Sequence, residues 1–146
     1  MEERTLAREA AFRALFQLEF NNGEETEYFE NLAIQTALED FPKLKTRHIR
    51  QVNETVKGTR KYLEEIDKLI SEHLKEGWKI SRLAITDRNI LRLGVYEMCF
   101  AEKILTPGIA INEAVNLTKS YGSSDDSWKF VNGVLNAISE TRRTKI

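Results

Sequence analysis

Hydrophobic residues recur every three or four positions along nearly the whole chain, which is the spacing of one face of an α-helix. No stretch alternates between apolar and polar residues as a half-buried strand would. The third segment lacks one apolar turn near Gly58, which predicts a kink or break there. The pattern predicts an all-α fold with helices over residues 4–20, 26–40, 46–75, 83–102, 110–121 and 125–142.

Residues that favour turns or helix ends lie between these segments, and short loops predict one compact domain over residues 1–146. Two helical sub-bundles are implied within it, joined near Gly77-Trp78. Asp125 and Asp126 would fall in the first turn of the last helix, where the helix dipole favours negative charge. The turn and cap signals are Asn21-Asn22-Gly23, Thr46, Gly122, Ser123 and Ser124.

The charge balance excludes a protein coated with basic residues. The chain has 146 residues, of which 22 are basic and 23 acidic, so its formal net charge is −1. Any nucleic-acid site must therefore be a local patch. The single cysteine, Cys99, cannot form an internal disulfide, which agrees with a reducing cytoplasm. No apolar run approaches the roughly 18 residues of a membrane span, so we expect no membrane association.

Residues that could carry out catalysis are scattered along the chain. His48 and His73 lie far apart on one predicted helix, and no Cys/His cluster has the spacing of a zinc site. Neither a glycine-rich phosphate loop nor a nucleophile elbow is present. Cys99 lies in an apolar stretch, which predicts a buried thiol. We therefore expect no enzyme active site, no metal and no cofactor.

The first helix is too apolar for a simple surface helix. Beside its alanine-rich face, Phe12, Phe16 and Phe20 form a second stripe at intervals of four residues. The stripe indicates either an interior helix or a surface that binds a partner. Arg4 and Arg8 lie one turn apart near its start, a spacing that by itself is typical of a solvated face.

Asp87 lies at the edge of an apolar face near the start of the fourth predicted helix. We expect its negative charge to interact favourably with the helix dipole or to form a salt bridge with Arg88 or Arg92. Alternatively, the Asp87 side chain contacts a partner protein. In the last helix, Phe130 lies about 90° from the core stripe of Val131, Val134, Leu135 and Ile138. Its ring either packs on another helix or is open to stacking by a nucleic-acid base.

Four sequence blocks, in order along the chain, resemble the NusB family of bacterial transcription antitermination factors. The resemblance implies two roughly perpendicular helical bundles with about six to seven helices. The four blocks are REAAF at residues 8–12, RNILRLGVYEM at 88–98, INEAV at 111–115 with KSYG at 119–122, and KFVNGVL at 129–135.

The same resemblance implies binding of the boxA segment of ribosomal RNA leader transcripts. It also implies a heterodimer with NusE, a small-subunit ribosomal protein, and entry of both into an RNA polymerase elongation complex that reads through terminators. The function expected is thus that of a cytoplasmic, non-enzymatic adaptor.

Matched position by position, the resemblance assigns RNA contacts to Arg4 and Arg8 at the N-terminus. On the last helix it assigns RNA contacts to Asp126, Lys129 and Phe130. It assigns the NusE interface to Phe16 and Asp87, and we include Phe12 because it shares the stripe with Phe16.

The chain departs from the family pattern at two places. Glu2 and Glu3 dilute an N-terminal run that is often arginine-rich, which would weaken contacts with the RNA backbone and their dependence on salt. Phe16 stands where tyrosine is common, so a hydrogen bond from that hydroxyl group is lost.

Two other functions stay open at this point. One is a fragment of an RNA cytosine methyltransferase, although such an enzyme needs catalytic cysteines and a second, α/β domain, and this sequence has one cysteine and no strand pattern. The other is a structural protein that only self-associates, as a homodimer through the first helix.

Overall fold

The computed structural model describes residues 3–21 and 26–144, and within them every regular element is helical. The prediction of an all-α fold is therefore confirmed. Met1, Glu2 and most of the predicted turn at residues 21–23 lie outside the described residues. The α-helices are α1 (Glu3–Leu18), α2 (Thr26–Leu38), α3 (Thr46–Lys61), α4 (Leu63–Glu72), α5 (Ile85–Val95), α6 (Pro107–Tyr121) and α7 (Ser127–Thr144), with a 3₁₀ turn at Ile80–Arg82 and a π-helical turn at Tyr96–Phe100.

The chain forms two compact units, the first ending at Arg60 and the second beginning at Lys61. In the first unit α1 packs on α2, and the alanines at positions 7, 10, 11 and 14 are buried, which lets the backbones approach closely. Polar contacts link α1 to the turn after α2 and link α3 to α2. Arg13 Nη1 lies 2.8 Å from Asp40 Oδ2, and Arg60 Nε lies 3.5 Å from Glu30 Oε2.

In the second unit α5 is the central helix and packs against α4, α6 and α7. A Cβ atom at Gly94 would lie only 2.9 Å from Leu135 Cδ1, so α5 and α7 approach closely there. Arg92 and Asp67 form a bidentate pair with both N–O distances at 2.8 Å, which ties α5 to α4. The predicted core stripe of α7 is confirmed, since Val131, Val134, Leu135 and Ile138 are all buried.

The break in the long third segment lies at Tyr62 and not near Gly58. Gly58 remains inside α3, because a glycine within a helix costs stability without having to end it. Tyr62 leaves helical geometry with φ −100° and ψ 17°, and its ring stacks on Phe100 with centroids 5.2 Å apart. The boundary between the two units lies just before this break, between Arg60 and Lys61. The predicted junction near Gly77-Trp78 was therefore wrong.

Several other helix ends differ from prediction by two or more residues, and two of them have a clear local form. The fourth predicted helix ends its regular part at Val95 and continues as the π-helical turn. The fifth begins at Pro107, three residues earlier than expected, because proline is well tolerated at the first helical position and Thr106 precedes it as the cap residue.

Candidate nucleic-acid interface

The start of α7 presents the second-unit residues that were assigned to RNA. Before the helix begins, the Ser124 hydroxyl accepts the amide of Asp126, and the Ser127 hydroxyl accepts the amide of Ser124. Ser124 and Ser127 thus cap the turn that precedes α7, whereas the predicted role of Ser124 was to cap the helix itself. Asp126 lies in the turn just before α7 instead of in its first helical turn. The cap fixes the direction in which the first turn of α7 projects its side chains.

Three side chains of this turn are accessible to different degrees. Asp126 and Lys129 are exposed, and their charged groups lie 3.8 Å apart. Phe130 is half-buried, so one part of its ring packs on protein while another part remains open. The Lys129 ammonium group also lies 5.6 Å from the centre of the exposed Trp128 ring. The start of α7 thus presents a cation and aromatic surface, which suits an RNA strand because RNA offers phosphates and base faces together.

The neighbour of Phe130 is Trp78, which the sequence pattern placed only at the predicted junction of two sub-bundles. The ring of Trp78 lies 6.2 Å from that of Phe130, centroid to centroid, with 31° between their planes. Trp78 is also 58% exposed, which is unusual for so large an apolar side chain. The available signal was a tryptophan in a loop between the basic residues Lys75 and Lys79.

The two N-terminal arginines have different environments. Arg4 is exposed on the first turn of α1, whereas Arg8 is only 4% exposed and already has an interaction partner. The sequence position of Arg8 by itself indicated a solvated face, and this interpretation was wrong because the side chain is buried. A direct contact between Arg8 and an RNA phosphate would require its side chain to leave these surroundings.

The aromatic stripe of α1 runs from the core to the surface. Phe12 is 2% exposed, Phe16 is half-buried and Phe20 is 63% exposed. The rings contact one another in sequence, with centroid distances of 6.4 Å between Phe12 and Phe16 and 5.5 Å between Phe16 and Phe20. The interior interpretation therefore applies to Phe12, and the open apolar surface lies at Phe16 and Phe20.

Asp87 is buried at the start of α5 and holds the turn that leads into α7. Its carboxylate accepts the Ser123 amide at 3.1 Å, the Ser123 hydroxyl at 2.5 Å and the Ser127 hydroxyl at 3.1 Å. These serines take the place of the arginine partners considered from the sequence. Arg92 pairs with Asp67, and Arg88 donates to backbone carbonyls. Little of the Asp87 carboxylate is therefore open to another molecule.

The described residues contain no cluster of His, Cys, Asp and Glu that could hold a metal ion. Burial raises the pKa of the Cys99 thiol, and Arg142 opposes this effect weakly, so the thiol is protonated at neutral pH. The predicted burial of Cys99 is confirmed. None of the described helices combines the length and apolar character that crossing a bilayer requires.

The fold and these surfaces define an all-helical protein with exposed aromatic and basic side chains suited to binding. The chain belongs to the NusB family, whose model matches residues 5–140. It is 42% identical over 136 residues to the transcription antitermination protein NusB of Bdellovibrio bacteriovorus, covering 92% of this chain and 93% of that protein.

Two solved structures have the same fold. A crystal form of NusB from T. maritima is 33% identical, with a TM-score of 0.81, over 100% of this chain and 99% of that one. A crystal structure of the antitermination factors NusB and NusE in complex with double-stranded RNA contains a chain that is 31% identical. It matches with a TM-score of 0.81 over 97% of this chain and 98% of that one. The resemblance in the sequence blocks is thus confirmed at the level of family and fold.

Proposed function

We propose that this protein is a transcription antitermination factor that binds the boxA RNA of ribosomal RNA leader transcripts together with NusE. Its family membership supports this role, as does the related complex that contains NusB, NusE and RNA. The observation that carries the RNA-binding part is the partly open Phe130 ring at the start of α7, one residue after the exposed Lys129. The protein acts as an adaptor and not as an enzyme.

Each unit contributes RNA contacts of its own. In the second unit Lys129 neutralises phosphate charge while a base stacks on Phe130, and Asp126 accepts hydrogen bonds from base or ribose donors. In the first unit the exposed Arg4 contacts phosphate directly, and Arg8 does so after a change of side-chain conformation. Because the bases of a duplex already stack on one another, a contact through Phe130 favours an unpaired segment.

NusE binds the open end of the α1 stripe. Phe16 and Phe20 supply the apolar surface, and Phe12 supports Phe16 from the core. An aromatic cluster of this kind is typical of the residues that dominate the binding energy of protein interfaces. Asp87 contributes to partner binding by fixing the turn before α7, since its carboxylate is engaged by Ser123 and Ser127.

The larger assembly is an RNA polymerase elongation complex in the bacterial cytoplasm, where these transcripts are made. In the absence of NusE, the same apolar surface at Phe16 and Phe20 is available to a second copy of the chain. Self-association and NusE binding would then compete for this surface. A homodimer of the free protein is therefore compatible with the proposed adaptor function.

The Phe130 ring provides the test of RNA binding. Phe130→Ala should weaken boxA binding by about 1–3 kcal/mol because a stacked base loses its aromatic partner. Phe130→Leu is the matched variant, since it keeps an apolar side chain against Trp78 but offers no aromatic face. Titrations of fluorescent boxA RNA and of a scrambled RNA, at one salt concentration, measure both variants. A folded Phe130→Ala protein with unchanged boxA affinity would remove Phe130 from the site, and equal binding of scrambled RNA by the unaltered protein would refute boxA recognition.

A further inference from the structure

Trp78 is held in place by the backbone around it, although its own indole ring is largely exposed. Gly77 adopts φ +89°, in the left-handed region that favours glycine, and the Trp78 amide donates to the carbonyl of Lys75 at 3.0 Å. This tight turn sets the direction of the chain at Trp78. Replacing Gly77 with a residue that has a side chain would strain the turn.

Arg88 fixes the segment that follows. Its Nη1 atom donates to the carbonyls of Ile80, Ser81 and Leu83, at 3.2, 3.4 and 3.2 Å. A guanidinium group that binds three carbonyls of one short segment restrains that backbone. Trp78 therefore projects from a loop that is restrained on both sides, and its exposure does not result from a loose chain.

The surroundings of Trp78 are basic. Lys75, Lys79 and Arg82 are all exposed in the same loop, where Glu76 is the one acidic residue between positions 75 and 82. Lys129, one residue before Phe130, is exposed but holds its ammonium group 5.6 Å from the Trp128 ring, so the positive charge close to Trp78 along the chain comes from the loop. Positive charge around two adjacent aromatic rings matches a polyanion with flat bases better than it matches an apolar protein surface.

From this arrangement we propose that Trp78 is a second base-stacking residue, which forms with Phe130 a two-ring platform for neighbouring unpaired bases of RNA. The inference rests on the proposed RNA-binding function and adds to it a residue outside the segments that the sequence assigned to RNA. The loop cations Lys75, Lys79 and Arg82 follow the phosphates of the same strand. Stacking tolerates any base, so the platform adds affinity while hydrogen bonds elsewhere select the sequence.

Trp128 provides the matched control. It is the only other tryptophan of the chain and is 45% exposed. Because residues 128 and 130 are about 200° apart around a helix, it lies on the side of α7 away from Phe130. Trp78→Ala should weaken binding of single-stranded boxA RNA about five- to 150-fold. Trp78→Phe should recover most of this loss. Trp128→Phe, which keeps an aromatic ring beside the Lys129 ammonium group, should bind like the unaltered protein.

Fluorescence distinguishes direct stacking from a role in positioning Phe130. In a Trp128→Phe protein the only tryptophan is Trp78, and a base stacked on it should quench its fluorescence emission. This quenching should saturate at the RNA concentration that saturates binding in the titration. Unchanged emission in a protein that binds boxA would overturn the inference even if Trp78→Ala weakens binding. Unchanged affinity of folded Trp78→Ala would overturn it too. If Trp78→Ala keeps its affinity while Phe130→Ala binds boxA RNA more weakly, the proposed function stands without the two-ring platform. If the unaltered protein does not prefer boxA over scrambled RNA, both the proposed function and the platform are refuted.

Discussion

At the scale of single residues, buried polar groups determine how the binding surface is presented. Asp87 is buried on α5, yet its hydrogen bonds to Ser123 and Ser127 fix the turn from which α7 and Phe130 project. Such a carboxylate positions the start of α7 without itself being open to a ligand. Burial also separates Arg8 from the exposed Arg4, and Phe12 from the exposed Phe20, although each pair has the same residue type.

Asp87→Ala should lower the free energy of unfolding by about 1–3 kcal/mol, because it leaves the Ser123 amide and two hydroxyl groups without their acceptor. Asp125→Ala is the control, since Asp125 is exposed and its loss should change stability by less than about 0.5 kcal/mol. Urea unfolding followed by circular dichroism measures both variants. Equal stability of the two would show that the carboxylate is dispensable.

Cys99 gives a prediction for pH. Because burial raises its pKa in the folded chain above the ordinary value of 9.0, the unfolded chain releases this proton first as the pH rises. The contribution of Cys99 to stability is therefore complete below pH 9.0 and is lost as the pH rises through the raised pKa of the folded state. Cys99→Ala should reduce the fall in stability on the alkaline side, measured by urea unfolding across this range. An unchanged alkaline fall would contradict the raised pKa.

At the scale of elements, the pattern of apolar residues predicts which segments are helical but not the contacts that end them. Gly122 was expected to end α6, and it does. Its φ of −61° is not left-handed, however, so the reason lies in packing. A Cβ atom there would lie 2.6 Å from the Thr118 carbonyl oxygen and 2.8 Å from Ser127 Cβ. The break at Tyr62 likewise depends on a distant ring, that of Phe100.

Gly122→Ala should therefore destabilise the protein by about 1–3 kcal/mol, as overpacking of a tight site does. Gly133 lies inside α7 with nothing within 4 Å of an added Cβ atom. Gly133→Ala should stabilise the chain by about 0.5–1 kcal/mol through helix propensity alone. Thermal unfolding of the two alanine variants compares them directly, and a stabilised Gly122→Ala protein would contradict the packing argument.

The candidate site was predictable only in part. Phe130 and the stripe of Phe16 and Phe20 follow from helical geometry, since an aromatic residue outside the core stripe is visible in the sequence. Trp78 does not, because its contact with Phe130 joins a loop and a helix that are far apart in the chain. The burial of Arg8 is equally invisible to a local pattern. Local periodicity thus predicts candidate surfaces, and tertiary packing selects among their residues.

At the scale of the whole molecule, a net charge of −1 requires that RNA affinity come from small patches. The proposed adaptor would bind RNA modestly by itself and would gain affinity when a partner adds contacts to the same strand. Local patches of this kind would allow a protein with no excess of basic residues to act on RNA. In this proposal the aromatic stripe of α1 binds NusE, and the start of α7 binds RNA.

The direct test of this view is a titration of fluorescent boxA RNA with the protein at fixed salt, in the absence and presence of NusE. Phe20→Asp is the matched variant, because Phe20 is 63% exposed and its replacement leaves the core intact. The account predicts tighter boxA binding with NusE for the unaltered protein, and loss of that gain, but not of basal binding, for Phe20→Asp. An affinity for boxA that NusE leaves unchanged would contradict it.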